Sequence, residues 1–402
     1  MKIIEGSITA PQGFQAAGVA CGLKKNGQPD LALIVSDRPA SVAGVFTQNV
    51  VKGHSLQLTR EHIKSGISRA VVINSGNANA CVGEAGLADA RAMAEAVARQ
   101  LGCPAEQILT GSTGVIGKRL DMGAVQKGIA AAFSNLDSSP EAGHRAEAAI
   151  MTTDLVAKEC VVRFQIGQSE ITVAGMAKGS GMIHPNMATM IGVITTDCVV
   201  SSEVLSTLLT STVNKTFNRV SVDGDTSVCD MVVVLANGAA GNAPITLDSE
   251  SAEQLAEAFE IVSTELSRLI ARDGEGATKL VEVRANGVRT SDDAYKIVLA
   301  IARSPLVKTA IFGEDANWGR ILTAAGYSGA DFDPDHCDIY LGDLKVCEKG
   351  CALPFDEAIA KSILQQKDLL IRVELNEGTA SDRIWTCDFS YDYVKINGSY
   401  RT

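Results

Sequence analysis

Lys178-Gly179-Ser180-Gly181-Met182-Ile183-His184-Pro185-Asn186-Met187-Ala188-Thr189-Met190-Ile191-Gly192 is the stretch on which the reading of this chain turns. It opens like a dinucleotide-binding turn. His184, however, stands where the third glycine of that fingerprint belongs, and Pro185 interrupts the helix that would have to follow. A dinucleotide-binding reading therefore fails. What remains is a glycine-hinged loop that delivers Thr189 to the head of an apolar run, Thr189 to Thr195, with the character of a buried strand. A threonine in that position suits a hydroxyl nucleophile whose own α-amine, freed by chain cleavage, accepts the proton. The amine titrates at about 7.7 to 8.0 whereas an alkyl hydroxyl does not ionise near neutrality, so the amine is the natural base. Spacing alone leaves an ordinary loop entering a strand as the commoner explanation.

Outward from that stretch, β-rich and helical segments interleave along the whole chain, which makes the fold class α/β. Strands are expected at Leu31 to Ser36, Val42 to Val51, Ala70 to Asn74, Glu159 to Ile166, Met190 to Thr195 and Met231 to Ala236. The segment Leu87 to Leu101 sets Ala90, Ala94, Val97 and Leu101 on one helical face and stops at Gly102, with Pro104 beyond. A second helix is expected from a capping box of Ser251 and Gln254, with Leu255, Phe259, Val262, Leu266 and Leu269 as its buried stripe and Gly274 as terminator. Then the pattern changes. A strand Leu280 to Val283, a helix from Ser291 through Ala302 and strands at Asp338 to Val346, Leu369 to Leu375 and Trp385 to Ile396 suggest a smaller α/β unit. At about 150 residues per domain, 402 residues allow two or three units, and the boundary is expected near 283, giving domains 1–283 and 284–402.

Composition narrows the function. With 36 basic against 47 acidic side chains the net charge is −11, the wrong sign for a surface that follows a phosphate backbone. Nucleic acid is not an expected partner. The N-terminus lacks the continuous apolar stretch of a secretion signal, and no run of 18 apolar residues suggests a membrane span, so the expected location is the cytoplasm. Ten dispersed cysteines do not read as a disulfide framework. His336, Cys337, Cys347 and Cys351 match no common zinc spacing, and Asp223-Gly-Asp-Thr-Ser227 carries Val228 where a calcium loop needs glycine, so no metal is assigned.

Three further segments are richer in Gly, Asn, Thr and charge than a connection requires. Asn74-Ser-Gly-Asn-Ala-Asn-Ala80 follows an apolar strand and serves equally as a tight strand-to-helix connection or as part of a site. Gly111-Ser112-Thr113-Gly114 could turn backbone N–H groups and a hydroxyl toward an oxyanion, although alone it reads as a turn. Arg272-Asp-Gly-Glu275-Gly-Ala-Thr-Lys279 places a carboxylate at the negative end of a helix dipole, where it gains from a cationic partner such as a substrate amine; a solvated capping-loop residue is the plainer alternative.

Taken together, Lys178 to Met190, Gly111 to Gly114, Ile150-Met-Thr-Thr-Asp154, Asp273 to Lys279 and the C-terminal Ile396-Asn397-Gly-Ser-Tyr-Arg-Thr402 resemble the ornithine acetyltransferases, or glutamate N-acetyltransferases, of arginine biosynthesis. The likeness runs from the N-terminus to Thr402. It implies a layered αββα-type sandwich with the smaller C-terminal α/β domain attached. It also implies a precursor that cuts itself between Ala188 and Thr189 into chains 1–188 and 189–402, which stay together as an α2β2 heterotetramer. Thr189 would then take acetyl from N2-acetyl-L-ornithine and pass it to L-glutamate, with Thr113 and Gly114 stabilising the oxyanion. The implied substrate contacts are Thr152, Lys178, Thr189, Glu275, Asn397 and Thr402, and a slip of one residue would exchange Thr152 for Thr153. No cofactor is implied, though some members accept acetyl-CoA as a second donor and no residue here decides that point.

Two rivals stand beside this reading: a self-processing amidase or aminopeptidase of related fold, and a non-catalytic amino-acid-binding protein. Mass spectrometry of the purified chain should show two fragments meeting at Thr189, and Thr189→Ala should give one intact chain. A wild-type chain that stays whole removes the N-terminal nucleophile.

Overall fold

The computed structural model describes residues 1–184 and 190–399. The chain divides into two compact units. Of the described residues, the first comprises those of 1–218 and 225–266, and the second 219–224 and 267–399. The division falls after Leu266, inside a long helix, and so differs from the expected boundary near 283.

The first unit contains nine strands: β1 (Lys2–Ile4), β2 (Phe14–Val19), β3 (Leu31–Phe46), β4 (Ile67–Asn77), β5 (Ile108–Val115), β6 (Glu159–Ile166), β7 (Ser169–Lys178), β8 (Ile191–Thr196) and β9 (Met231–Ala236). They form one sheet in the order β1-β6-β7-β8-β9-β3-β4-β5, with β2 also paired to β3. The sixteen-residue β3 is shared by two halves of that sheet. Its beginning pairs with β2 and β4, and its end pairs with β9. Between them, at Val35 to Ala40, the register shifts and Asp37, Arg38 and Pro39 are exposed. A proline lacks the N–H that a ladder needs, so a bulge is where it is tolerated.

Because side chains alternate across a strand, Ile34, Val71, Ile73 and Leu109 from one half share a buried cluster with Met176, Ile191, Val193, Val233 and Leu235 from the other. The opposite face of the first half, Leu31, Leu33, Val72 and Ile108, packs with Ala90, Met93, Ala94 and Val97 of α2 (Glu84–Leu101) and Val125 and Ile129 of α3 (Met122–Ser134). Helix α1 (His54–His62) lies against β5, and α4 (Pro140–Ile150) against β2. On the other side are α5 (Ser202–Lys215) and α6 (Glu250–Arg272); a Cβ at Gly175 of β7 would come within 2.6 Å of Val262 in α6. Helices α2, α3, α5 and α6 outside the strand layers, with α4 reaching the cluster between them through Ala146, Ala149 and Ile150, give a layered α/β arrangement.

The second unit has a six-stranded sheet, ordered β13-β12-β11-β14-β10-β15. Its strands are β10 (Leu280–Val288), β11 (Asp338–Leu341), β12 (Leu344–Glu348), β13 (Cys351–Ala352), β14 (Asp368–Glu374) and β15 (Ala380–Cys387). Helices α7 (Ser291–Arg303), α8 (Pro305–Phe312) and α9 (Trp318–Gly326) cover the core of Val281, Val283, Ile297, Ile301, Ile371 and Ile384. Helix α10 (Glu357–Leu364) precedes β14, and α11 (Tyr391–Ser399) closes the described chain. Residues 219–224 join this unit through Ser221, whose N–H donates to Trp385 O, and through Arg219, paired with Asp382 at 2.9 Å.

Several elements differ from expectation, each for a local reason. The run to Val51 ends as a strand at Phe46, because Thr47 and Asn49 side chains accept backbone N–H groups of Asn49 and Val51 and turn the chain. Helix α6 starts at Glu250, ahead of the proposed capping box, with the Ser249 hydroxyl accepting Ala252 N–H at 3.2 Å. Asp338 to Val346 is a hairpin that turns at Gly342 (φ 57°). Trp385 to Ile396 is not one strand: β15 ends at Cys387, and Ser390 accepts Asp392 N–H at 3.1 Å ahead of α11.

Gly18 of β2 sets how closely α4 approaches. An added Cβ there would lie 1.8 Å from Arg145 O, a backbone atom that cannot rotate away. Gly18→Ala should therefore destabilise the protein by about 3 kcal/mol or more. Thermal melting measures it, and an unchanged midpoint would show that α4 can move off the sheet.

Candidate active site

Strands β4 and β5 run parallel and end in register with Ser75 opposite Thr113 and Gly76 opposite Gly114. The expected turn at Gly111 to Gly114 is thus a strand end. The element is irregular there: Asn77 faces both Thr113 and Val115, and Gly114 has φ 129°. A Cβ on Gly114 would stand 2.5 Å from the Gly76 carbonyl carbon, so both its conformation and its surroundings demand glycine.

The Asn-rich segment after β4 is the scaffold of this edge. Ser112 Oγ donates to Asn74 Oδ1 at 2.6 Å and lies 2.7 Å from Ser55 Oγ. Asn74 Nδ2 donates to Asn77 O, and Asn79 Nδ2 donates to Ser55 Oγ and to Gly86 O. These bonds tie the strand ends to α1 and α2, with Asn79 Oδ1 left without a hydrogen-bond partner among the described residues. Thr113 sits at its margin, nearly buried.

Lys178 is the last residue of β7 and pairs with Ile191, the first of β8. Its Nζ lies 3.5 Å from Thr113 Oγ1 and 4.0 Å from Asp154 Oδ2. Asp154 Oδ1 accepts Lys158 Nζ at 2.9 Å and Gly179 N–H at 2.6 Å, and Oδ2 accepts Thr152 N–H at 2.9 Å. Both Asp154 and Lys158 side chains are fully buried. Burial alone would raise the Asp154 pKa, but Lys178 and Lys158 and the hydrogen bonds outweigh it and hold the carboxyl well below its usual range. Glu147 of α4 accepts Lys158 N–H at 3.0 Å through Oε1, while Oε2 has no hydrogen-bond partner among the described residues. Burial pushes its pKa up to about 8.

The first unit therefore brings together Thr113, Gly114, Lys178 and, through Asp154, Thr152. In the second unit Glu275 and Asn397 are joined, Asn397 Nδ2 donating to Glu275 Oε2 at 2.8 Å. Glu275 is buried rather than solvated, and its loop is tied down by Asp388, which accepts Thr278 N–H and Lys279 N–H. Ala188, Thr189 and Thr402 lie outside the described residues. The sequence marks Asp154 only as the end of the Ile150-to-Asp154 motif and does not mark Lys158 or Glu147. The available signal was an Asp and a Lys four positions apart, which here pair in a loop rather than along a helix. Among the described residues no group of three or more His, Cys, Asp or Glu could hold a metal ion, and no helix is long and apolar enough to cross a membrane.

A hydroxyl and a constrained glycine beside a buried lysine make a site that can stabilise an anion, as acyl transfer requires. Residues 15–402 match the ArgJ family model. The chain is 51% identical over its whole length to the arginine biosynthesis bifunctional protein ArgJ of Caldanaerobacter subterraneus subsp. tengcongensis, covering all of that protein. It is 50% identical, again over all of both chains, to the protein of the same name from Symbiobacterium thermophilum. The crystal structure of the arginine biosynthesis bifunctional protein ArgJ from Bacillus halodurans matches 51% of this chain and 97% of its own, with 40% identity and a TM-score of 0.50. The chain belongs to the ArgJ family. It is an acetyltransferase of arginine biosynthesis, with the glutamate N-acetyltransferase and ornithine acetyltransferase activity that the motifs implied, and the amidase alternative is not favoured.

Glu147 gives the site a pH signature. In the folded chain it keeps its proton up to about pH 8, whereas an ordinary glutamate releases it near 4.5. Between those values the folded state holds a proton that the unfolded state has lost, so this group's contribution to stability falls as pH rises. Glu147→Gln should melt progressively higher than wild type between about pH 5 and pH 9, with no such trend below pH 4.5. A flat difference across that range would mean that Glu147 is ionised in the fold.

Proposed function

We propose that acetyl transfer proceeds through an ester on Thr189, generated by self-cleavage between Ala188 and Thr189. Thr189 Oγ attacks the acetyl carbonyl of N2-acetylornithine while the Thr189 α-amine takes the hydroxyl proton. The Thr113 hydroxyl and Gly114 N–H donate to the oxyanion. On collapse the C–N bond breaks, the proton returns to the departing nitrogen, and ornithine leaves. The amine of glutamate then attacks the ester, the same donors hold the second oxyanion, and N-acetylglutamate departs as Thr189 recovers its proton. Splitting the transfer into two steps lets donor and acceptor use one pocket in turn, which gives ping-pong kinetics.

The observation that carries this reading is the cluster of Thr113, Gly114 and Lys178, with Lys178 paired to Ile191, two residues along the chain from Thr189. Ornithine and glutamate share an α-carboxylate and an α-amine. Lys178 is the partner for the carboxylate, Glu275 for the amine, and Asn397 orients Glu275. Thr152 and Thr402 complete the substrate contacts. The two fragments of the chain remain associated as an α2β2 heterotetramer acting in the cytoplasm. No cofactor is needed, and acetyl-CoA is a candidate second donor.

Incubated with N2-acetylornithine alone, the enzyme should release one equivalent of ornithine and gain one acetyl on the fragment that begins at Thr189. Steady turnover should require glutamate. Sustained release of free acetate without glutamate would overturn the transfer. Thr113→Ala should lower kcat by about 100- to 1000-fold, and replacing acetylornithine with acetyl-CoA in the glutamate assay tests the second donor.

A further inference from the structure

Asp154 is the point where the loop 152–158 meets the end of β7. Oδ1 accepts from Lys158 Nζ and from the N–H of Gly179, which follows β7, and Oδ2 accepts from the N–H of Thr152 and faces Lys178 Nζ. The two lysine contacts differ in kind. Lys158, fully buried, is hydrogen-bonded to Asp154 at 2.9 Å and to Val156 O at 3.1 Å. Lys178 is held at 4.0 Å from the carboxylate, an attraction without a hydrogen bond. Its donors are therefore not occupied by Asp154, while its charge is drawn to one place beside Thr113.

The charges around Asp154 do not cancel. Lys158 and Lys178 stand against the carboxylate of Asp154, while Glu147, whose Oε2 has no hydrogen-bond partner among the described residues, is pushed by burial toward its neutral form. Lys24, on the loop packed over Gly76, is balanced first by the buried Asp30, and Glu159 is taken by His144 at 2.6 Å, so neither alters that balance. A buried cluster with an excess positive charge is completed by an incoming anion.

We propose that Asp154 is a positioning residue for substrate recognition: its carboxylate holds the Lys178 ammonium and the Thr152 and Gly179 N–H groups in one frame, aiming Lys178 at the α-carboxylate of the amino-acid substrate. This rests on the assignment of Lys178 to that carboxylate. The same frame anchors the start of the segment that leads from Gly179 to the cleavage position, so Asp154 also supports self-processing. Lys158 is the counter-cation that keeps Asp154 charged whether or not Lys178 is engaged by substrate.

The test is a specificity ratio, which does not depend on how much of a preparation is folded. kcat/KM is measured for N2-acetylornithine and for its α-carboxamide, which lacks the negative charge, with wild type and with Asp154→Asn. Wild type should prefer the acid by at least about tenfold, the worth of a charged hydrogen bond. In the variant the preference should fall toward one. A structural defect alone lowers both substrates together and leaves the ratio intact. A wild-type enzyme indifferent to the carboxamide overturns the Lys178 assignment itself, whereas a preference retained in Asp154→Asn overturns only the role of Asp154. If Asp154→Asn is insoluble, the double variant with Lys158→Met, which removes both buried charges, replaces it in the same comparison. If a variant that melts like wild type fails to cleave itself, the acid and the carboxamide are compared by equilibrium binding, where loss of the preference for the acid supports the proposal and its retention overturns it. Insolubility of both variants assigns Asp154 to stability alone and overturns it.

Discussion

The first unit depends on one strand serving two partners. β3 pairs with β4 through its first residues, resumes that pairing at Ala40 and Ser41 after the bulge at Asp37 to Pro39, and pairs with β9 from Ser41 to Phe46. Ile34 and Val42, eight residues apart and so on one face of the strand, enter the same buried cluster from its two ends, and the cluster closes between Ile73 and Val233. The site follows from this. β5 lies next to β4 at one end of the sheet order, while β7 and β8 lie beyond β9. Thr113 and Lys178, at the ends of β5 and β7, can meet only when the two sheet halves face each other.

That geometry explains which parts were legible in the sequence. Strands β6 and β9 have the expected bounds, β9 as a short apolar run and β6 through the alternation of exposed Arg163 and Gln165 with buried Val162, Phe164 and Ile166. Helix α2 stops at Gly102, whose φ of 64° is the left-handed cap that the glycine signalled. Local rules failed where the chemistry was not local to the pattern. Tyr391 to Ser399 carries aromatic and β-branched residues typical of strands, yet it is helical and has no buried residue, so no hydrophobic period was there to be read. Gly111 to Gly114 looked like a turn because its composition is that of turns. Its glycines instead answer close approach, by Met231 at Gly111 and by the Gly76 backbone at Gly114.

The site itself was legible only in part. Resemblance supplied Thr113, Lys178, Glu275 and Asn397. In this structure Lys178 comes within 3.5 Å of Thr113 across 65 residues of chain, and Asn397 reaches Glu275 across 122. No spacing rule spans such separations. Asp154 escaped notice for a related reason. It lies in a loop, where neither period nor propensity assigns burial, and its importance arises from a carboxylate that meets N–H groups and ammonium groups on different segments.

The electrostatics of the first unit have two opposed halves. Asp154 stays charged in a buried place because cations and N–H donors surround it, so its contribution to stability is present above the ordinary aspartate pKa and is lost as the medium turns acid. Glu147, a neighbour through Lys158, is left to burial and holds its proton, so its contribution is lost in the other direction. If both carboxyls were ionised, they would neutralise Lys158 and Lys178 and leave no attraction for a further anion. If both were protonated, two buried ammonium groups would repel each other with nothing between them. One of each leaves a positive balance, with Lys158 satisfied by protein and Lys178 still able to bind. The requirement placed on the fold is therefore a difference between two carboxyl environments, and the donors converging on Asp154 supply that difference.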